Sequence, residues 1–142
     1  MKIFCSILII FFAYNLALAC SCQRVETEEE KIEVINDASI IFYGKVVSIS
    51  SADGKLKVKF KVSRSWKGLN KNEIIVTTAS SSPACGARFD VGESRMVYAS
   101  DNPVSTSSCW MMMVDEKLVR QQLGEGKSFE TLPRRKPKRK KP

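Results

Sequence analysis

Histidine is absent from this sequence. Its absence removes the usual general base at neutral pH, the Ser–His and Cys–His nucleophile pairs, and the commonest metal ligand. The chain also lacks a glycine-rich dinucleotide loop, a phosphate-binding loop and a His-Glu-x-x-His zinc motif. Nothing singles out a Glu and an Asp for acid–base work. The chain is therefore not expected to be an enzyme, and no cofactor is expected. Internal repeats are missing too. One apolar run is present, over residues 3–12, and it falls short of the roughly 20 residues that a membrane span needs.

That run sits where a secretory leader would. Lys2 precedes it, and Ala17-Leu18-Ala19 forms a small-x-small cleavage site before Cys20. Residues 1–19 are read as a signal peptide, 20–125 as one domain and 126–142 as a disordered basic tail. An exported chain meets an oxidising compartment, where cysteines pair. Cys5 leaves with the leader, so Cys20, Cys22, Cys85 and Cys109 remain. A bridge from Cys20 to Cys22 would strain disulfide geometry. Two connectivities stay open: 20–85 with 22–109, or 20–109 with 22–85. Either closes long loops, each stabilising by about 4 kcal/mol in the chain-entropy account. A four-cysteine zinc site is the competing reading. Its Cys-x-Cys and two distant single cysteines do not match the usual paired spacing, so disulfides are expected.

The charge is lopsided. The formal net charge is +8, of which Lys2 carries one and Arg134, Arg135, Lys136, Lys138, Arg139, Lys140 and Lys141 carry seven. Residues 20–132 are formally neutral. The tail is expected to bind polyanionic matrix or a membrane surface weakly and electrostatically, or only to solubilise. Nucleic acid is not expected as a partner, because the leader directs export.

Thr27 followed by Glu30 fits a capping box, and Ile32 and Ile35 form a helical stripe, predicting a helix over 27–38. Its glutamates read as a solvated face. Residues 39–50 read as a strand interrupted by Gly44, which marks a bulge or bend. After the Ala52-Asp53-Gly54 turn, residues 55–66 alternate. Leu56, Val58, Phe60 and Val62 face one way and Lys55, Lys57, Lys59 and Lys61 the other. The lysine row is suited to binding phosphates, and reads first as a solvated outer face that deters edge pairing. Strands follow over 74–78, 94–100 and 109–114, then a helix over 115–123 stopped by Gly124. The expectation is a mainly β fold, a five-stranded Greek-key barrel of the OB type with flanking short helices.

Several pieces resemble one family in order: Cys20-Ser21-Cys22 at the mature start, Phe42-x-Gly44-x-Val46, Trp66-Lys67-Gly68, Val76-Thr77, Cys85-Gly86, Phe89 and Gly92, Val97-Tyr98-Ala99, and Thr106-x-x-Cys109. Together they resemble the N-terminal domain of the tissue inhibitors of metalloproteinases, within the netrin-like group. The resemblance covers most of 20–123. It implies the OB-type barrel and the pairing Cys20–Cys85 with Cys22–Cys109. It also implies a mechanism. The mature Cys20 lays its α-amino nitrogen and carbonyl oxygen on the catalytic zinc of a metalloproteinase. Ser21 enters the primed-side specificity pocket, and Cys22, Pro83 and Ala84 lie beside it. The zinc belongs to the target; the chain brings no metal of its own. The amine must be neutral to donate, which costs little for a group with an ordinary pKa of ~7.7–8.0.

This chain departs from the family in having four cysteines where the family's domain has six. A Glu-rich helix replaces a proline-containing stretch, and no counterpart of the separate C-terminal domain is present. Two alternatives follow. One is a netrin-like binding module in which Cys20-Ser21-Cys22 only staples the barrel. The other is a lipoprotein anchored through an acylated Cys20, whose blocked amine excludes zinc chelation. N-terminal sequencing and intact mass of the exported protein should read Cys-Ser-Cys with no free thiol. An acyl increment on Cys20, or a start upstream of it, would remove the amine's role and leave a tethered or stapled binding module.

Overall fold

The computed structural model describes residues 20–111 and 114–129. The leader, Met112, Met113 and the seven tail residues Arg134, Arg135, Lys136, Lys138, Arg139, Lys140 and Lys141 lie outside the described residues.

The first helix, α1 (Glu28–Asp37), starts as its capping box dictates. The Glu30 amide donates to the Thr27 hydroxyl at 3.2 Å, and the Thr27 amide donates back to the Glu30 carboxylate at 3.1 Å. The Thr27 and Glu26 amides hold the Glu30 carboxyl below the ordinary glutamate value. Two long strands follow, β1 (Ile40–Ala52) and β2 (Lys55–Lys67), paired antiparallel around the Asp53-Gly54 turn. The register slips between Tyr43 and Gly44, at the glycine that marks the bulge. A side chain at Gly44 would press on the Lys61 carbonyl and the Phe42 ring.

β3 (Glu73–Ala79) pairs with β2, and β4 (Ser94–Asp101) pairs with β1. The circuit closes through β5 (Val104–Ser105), which runs antiparallel to β4 and parallel to β3, Ser105 lying opposite Thr77. The order β1-β2-β3-β5-β4 and back to β1 is a closed five-stranded barrel of the OB type with flanking helices.

The closing strand is not where the sequence pattern puts it. Residues 109–114 read as the fifth strand. In the structure Ser108–Met111 instead forms one helical turn, α2, and the shorter β5 before it closes the barrel. Two constraints explain this. The Ser108 amide donates to the Cys85 carbonyl at 2.9 Å, and Cys109 must reach Cys22. Both turn the chain inward where a strand would run straight on. The last helix, α3 (Glu116–Leu123), is capped by the Asp115 carboxylate, which accepts from the Leu118 amide at 2.8 Å. A short strand, β6 (Lys127–Ser128), then pairs with β2 at Arg64 and Ser65, beyond the position read as the end of the domain.

The first half of β1 is buried on both faces. Ile40, Phe42 and Val46 point into the barrel, where Phe42 meets Phe60 edge-on at 5.2 Å and Phe60 meets Phe89 at 5.3 Å. Ile41 and its cross-strand partner Tyr98 point outward, under Ile35 and Ala38 at α1 and Leu118 and Val119 of α3. This explains the unbroken apolar run Ile40-Ile41-Phe42. Tyr98 is 1% exposed, and its hydroxyl donates to the Val114 carbonyl at 3.1 Å. Burial, with Asp115 and Glu116 nearby, raises its pKa above the ordinary tyrosine value.

The folded chain thus holds the Tyr98 proton more tightly than the unfolded chain. Its contribution is complete below an ordinary tyrosine pKa near ~10 and is lost as pH rises above it. Tyr98→Phe should flatten the alkaline fall in stability and cost about 1 kcal/mol at neutral pH, read from urea midpoints between pH 7 and 11. An unchanged alkaline slope would show that the loss arises elsewhere.

Candidate functional site

Cys20-Ser21-Cys22 runs along the barrel edge beside the loop that follows β3. Of the two pairings left open by spacing, the structure has Cys20–Cys85 and Cys22–Cys109, with Cα atoms 5.1 Å apart in each. The two bridges lie side by side. The Cys109 Sγ is 3.9 Å from that of Cys20 and 4.0 Å from that of Cys85. Sulfurs of Cys20, Cys22 and Cys109 are close enough to suggest a metal site. Each is committed to a disulfide, and metal coordination needs the thiolate.

The loop opposite is built to hold one shape. β3 ends at Ala79, and both the amide and the hydroxyl of Ser80 donate to the Gly54 carbonyl. Ser82–Ala84 makes a single 3-10 turn with Pro83 in its first positions, where a missing N–H costs nothing. The Ser81 carbonyl accepts from the Ala84 and Gly86 amides, and the Cys85 amide donates to the Ser82 carbonyl. Cys85 itself sits in the left-handed region at φ 58°, a conformation that costs a residue with a Cβ about 1–2 kcal/mol. The disulfide to Cys20 and the bond from Ser108 to its carbonyl hold it there. Below the loop, the buried Thr78 hydroxyl accepts from the Ala87 amide at 2.8 Å. Just after β5, the buried Thr106 hydroxyl donates to the Tyr98 carbonyl at 2.6 Å.

Across this junction the Cys20 nitrogen donates to the Pro83 carbonyl at 2.9 Å. Cys20, Pro83, Ala84 and Cys85 are thereby gathered into one ridge. Ser21, Pro83 and Ala84 are exposed on it, and Cys20 and Cys22 are half-buried. Behind the ridge, Ser82, Arg88, Arg95 and Ser108 help line a hollow of about 260 Å³. Arg95 is anchored there by Glu93 at 3.3 Å and lies over the Phe89 ring.

The supporting residues Thr78, Gly86, Thr106 and Ser108 escaped the sequence reading in this role. Single hydroxyls and glycines in loops carry no periodic signal; Cys85-Gly86 and Thr106-x-x-Cys109 were the available hints. The chain matches no known family model, and a search of curated proteins finds no match.

Gly86 tests how tightly the ridge is built. A Cβ there would lie 2.2 Å from the Ala79 carbonyl oxygen and 2.8 Å from that of Ser81, both main-chain atoms that cannot swing aside. Gly86→Ala should destabilise by about 1–3 kcal/mol and disturb the ridge, whereas Gly92→Ala, with open space around it but a backbone at φ 92°, strains its own turn and leaves the ridge intact. The check is the amide spectrum of residues 20–22 and 81–86. Unchanged shifts in Gly86→Ala would contradict this account.

Proposed function

We propose that this protein is an exported inhibitor of zinc metalloproteinases that acts through its mature N-terminal cysteine. The observation that carries the proposal is the position of the Cys20 nitrogen, 2.9 Å from the Pro83 carbonyl and tethered through Cys85. Once a leader is removed, that nitrogen is a primary amine. In its neutral form one N–H serves Pro83 and the lone pair stays free. Amine and carbonyl of one residue close a five-membered ring on a metal ion. A catalytic zinc keeps an open position for water or substrate, which such a ring can fill. The two disulfides order the donor atoms before binding, so association does not have to.

On this reading Ser21 enters the pocket next to the zinc. Cys22, Pro83 and Ala84 supply the flanking surface of the ridge. The exposed, uncharged character of Ser21, Pro83 and Ala84 supports insertion into a cleft. The basic tail serves to retain the protein on polyanionic matrix or a membrane surface.

Adding one alanine before Cys20 converts the amine into an amide with no lone pair to give. The extended chain should lose about 100-fold in inhibition, close to 3 kcal/mol, against a panel of zinc metalloproteinases, with its thermal midpoint unchanged. Equal potency of the two forms would reject zinc chelation. If neither form inhibits any enzyme of the panel, the ridge is a staple, and the domain is a binding module of the netrin-like kind.

A further inference from the structure

β2 presents a lysine at every second residue of its outward face: Lys55, Lys57, Lys59 and Lys61. At about 3.3 Å per residue, neighbours stand about 7 Å apart and the row is about 20 Å long. Lys45 on β1 lies across from Lys61 and widens the basic cluster. Ser48 and Ser50 of β1 lie across from Lys59 and Lys57, and Thr77 and Ala79 of β3 across from Lys57 and Lys55, whereas the exposed Ile75 and Glu73 of β3 lie across from Lys59 and Lys61. The ammonium groups of Lys55 and Lys57 therefore stand above short neighbours, with serine hydroxyls exposed beside the row. Among the described residues, the acid that pairs with the row is Glu73, 3.0 Å from the Lys59 Nζ.

Formal neutrality of the domain hides this separation. Glu28, Glu29, Glu30, Glu33 and Asp37 are collected on α1, which lies over Ile41 of β1 and Tyr98 of β4, away from the lysine row. A neutral domain with its charges sorted in this way has a basic face.

We infer that this face docks a linear anionic polysaccharide, one bearing sulfate or carboxylate groups along its length. The row is narrow and about 20 Å long on a wall that curves away to either side, a footprint that matches an extended chain. The chemistry disfavours nucleic acid: no aromatic residue stands at the strand positions opposite the row, so unpaired bases would find no platform to stack on. Lysine ammonium groups are flexible point charges, suited to anions whose spacing varies along a polymer. This inference is independent of the Cys20 amine.

The test uses the mature chain with its tail, and a size-defined heparin fragment and polygalacturonate as probes. The quadruple variant K55Q/K57Q/K59Q/K61Q should lose about tenfold or more in affinity at low salt, and its slope of log K against log salt should fall by about two to four. Glu73→Gln frees Lys59, so it should bind more tightly and steepen the slope by about one. Neutralising the seven tail charges should leave the decrement from the quadruple change in place. Thermal midpoints verify folding, and if the quadruple variant does not fold, Lys57→Glu and Glu73→Gln carry the test. Native affinity and slope in the quadruple variant would overturn the proposal. So would a loss of binding to phosphatidylserine vesicles with polysaccharide binding intact.

Discussion

Two adjacent disulfides bring three distant parts of this chain to one point. Cys20 and Cys22 begin the domain, Cys85 ends the loop after β3, and Cys109 follows the closing strand. With Cys109 about 4 Å from both sulfurs of the neighbouring bridge, the Cys20-Ser21-Cys22 segment, the loop and α2 are fastened as one block. Much else follows. A two-residue closing strand such as β5 is a weak element alone, with a single parallel pairing to β3. It holds because the Thr106 amide bonds to the Thr77 carbonyl just after it, and because the disulfide anchors the chain three residues further on. The same block lets Cys85 keep a left-handed backbone.

The second organising feature is the two-sided burial of the first half of β1. Its alternate residues fill the barrel and support α1 and α3, so helices and barrel share one strand as a common wall. Trp66 strengthens this wall from β2. Its indole donates to the Gly124 carbonyl at 2.9 Å, and Arg120 of α3 lies over its ring. Trp66 thus ties the C-terminal end of α3 to the sheet, as the Tyr98 bond to the Val114 carbonyl ties the segment just before it.

The ridge and the lysine face occupy different parts of this frame. The ridge is uncharged where it is exposed, rigid, and built from main-chain bonds. The lysine face is charged and made of long side chains on a regular strand. One suits insertion into a cleft and the other suits a flexible polyanion. Both begin near the same place, since Lys55 pairs with Ala79, the residue that leads into the ridge loop.

What the sequence alone determined were the features set by near neighbours. The Thr27 and Glu30 capping box, the alternation from Leu56 to Val62, the Gly44 bulge and the Asp53-Gly54 turn all act within a few residues, and each is legible as periodicity or a local motif. The even set of four cysteines from Cys20 onward announced two bridges, and Cys20-Ser21-Cys22 marked the ridge. Tertiary structure decided what depends on distant partners. Spacing left the disulfide connectivity open, because both pairings close long loops at similar entropic cost. The position of the closing strand was hidden for the same reason: β5 is too short to show a period, and its parallel partner Thr77 lies far back in the chain. The contact between the Cys20 nitrogen and the Pro83 carbonyl arises only when the barrel has closed and brought the two ends of the ridge together.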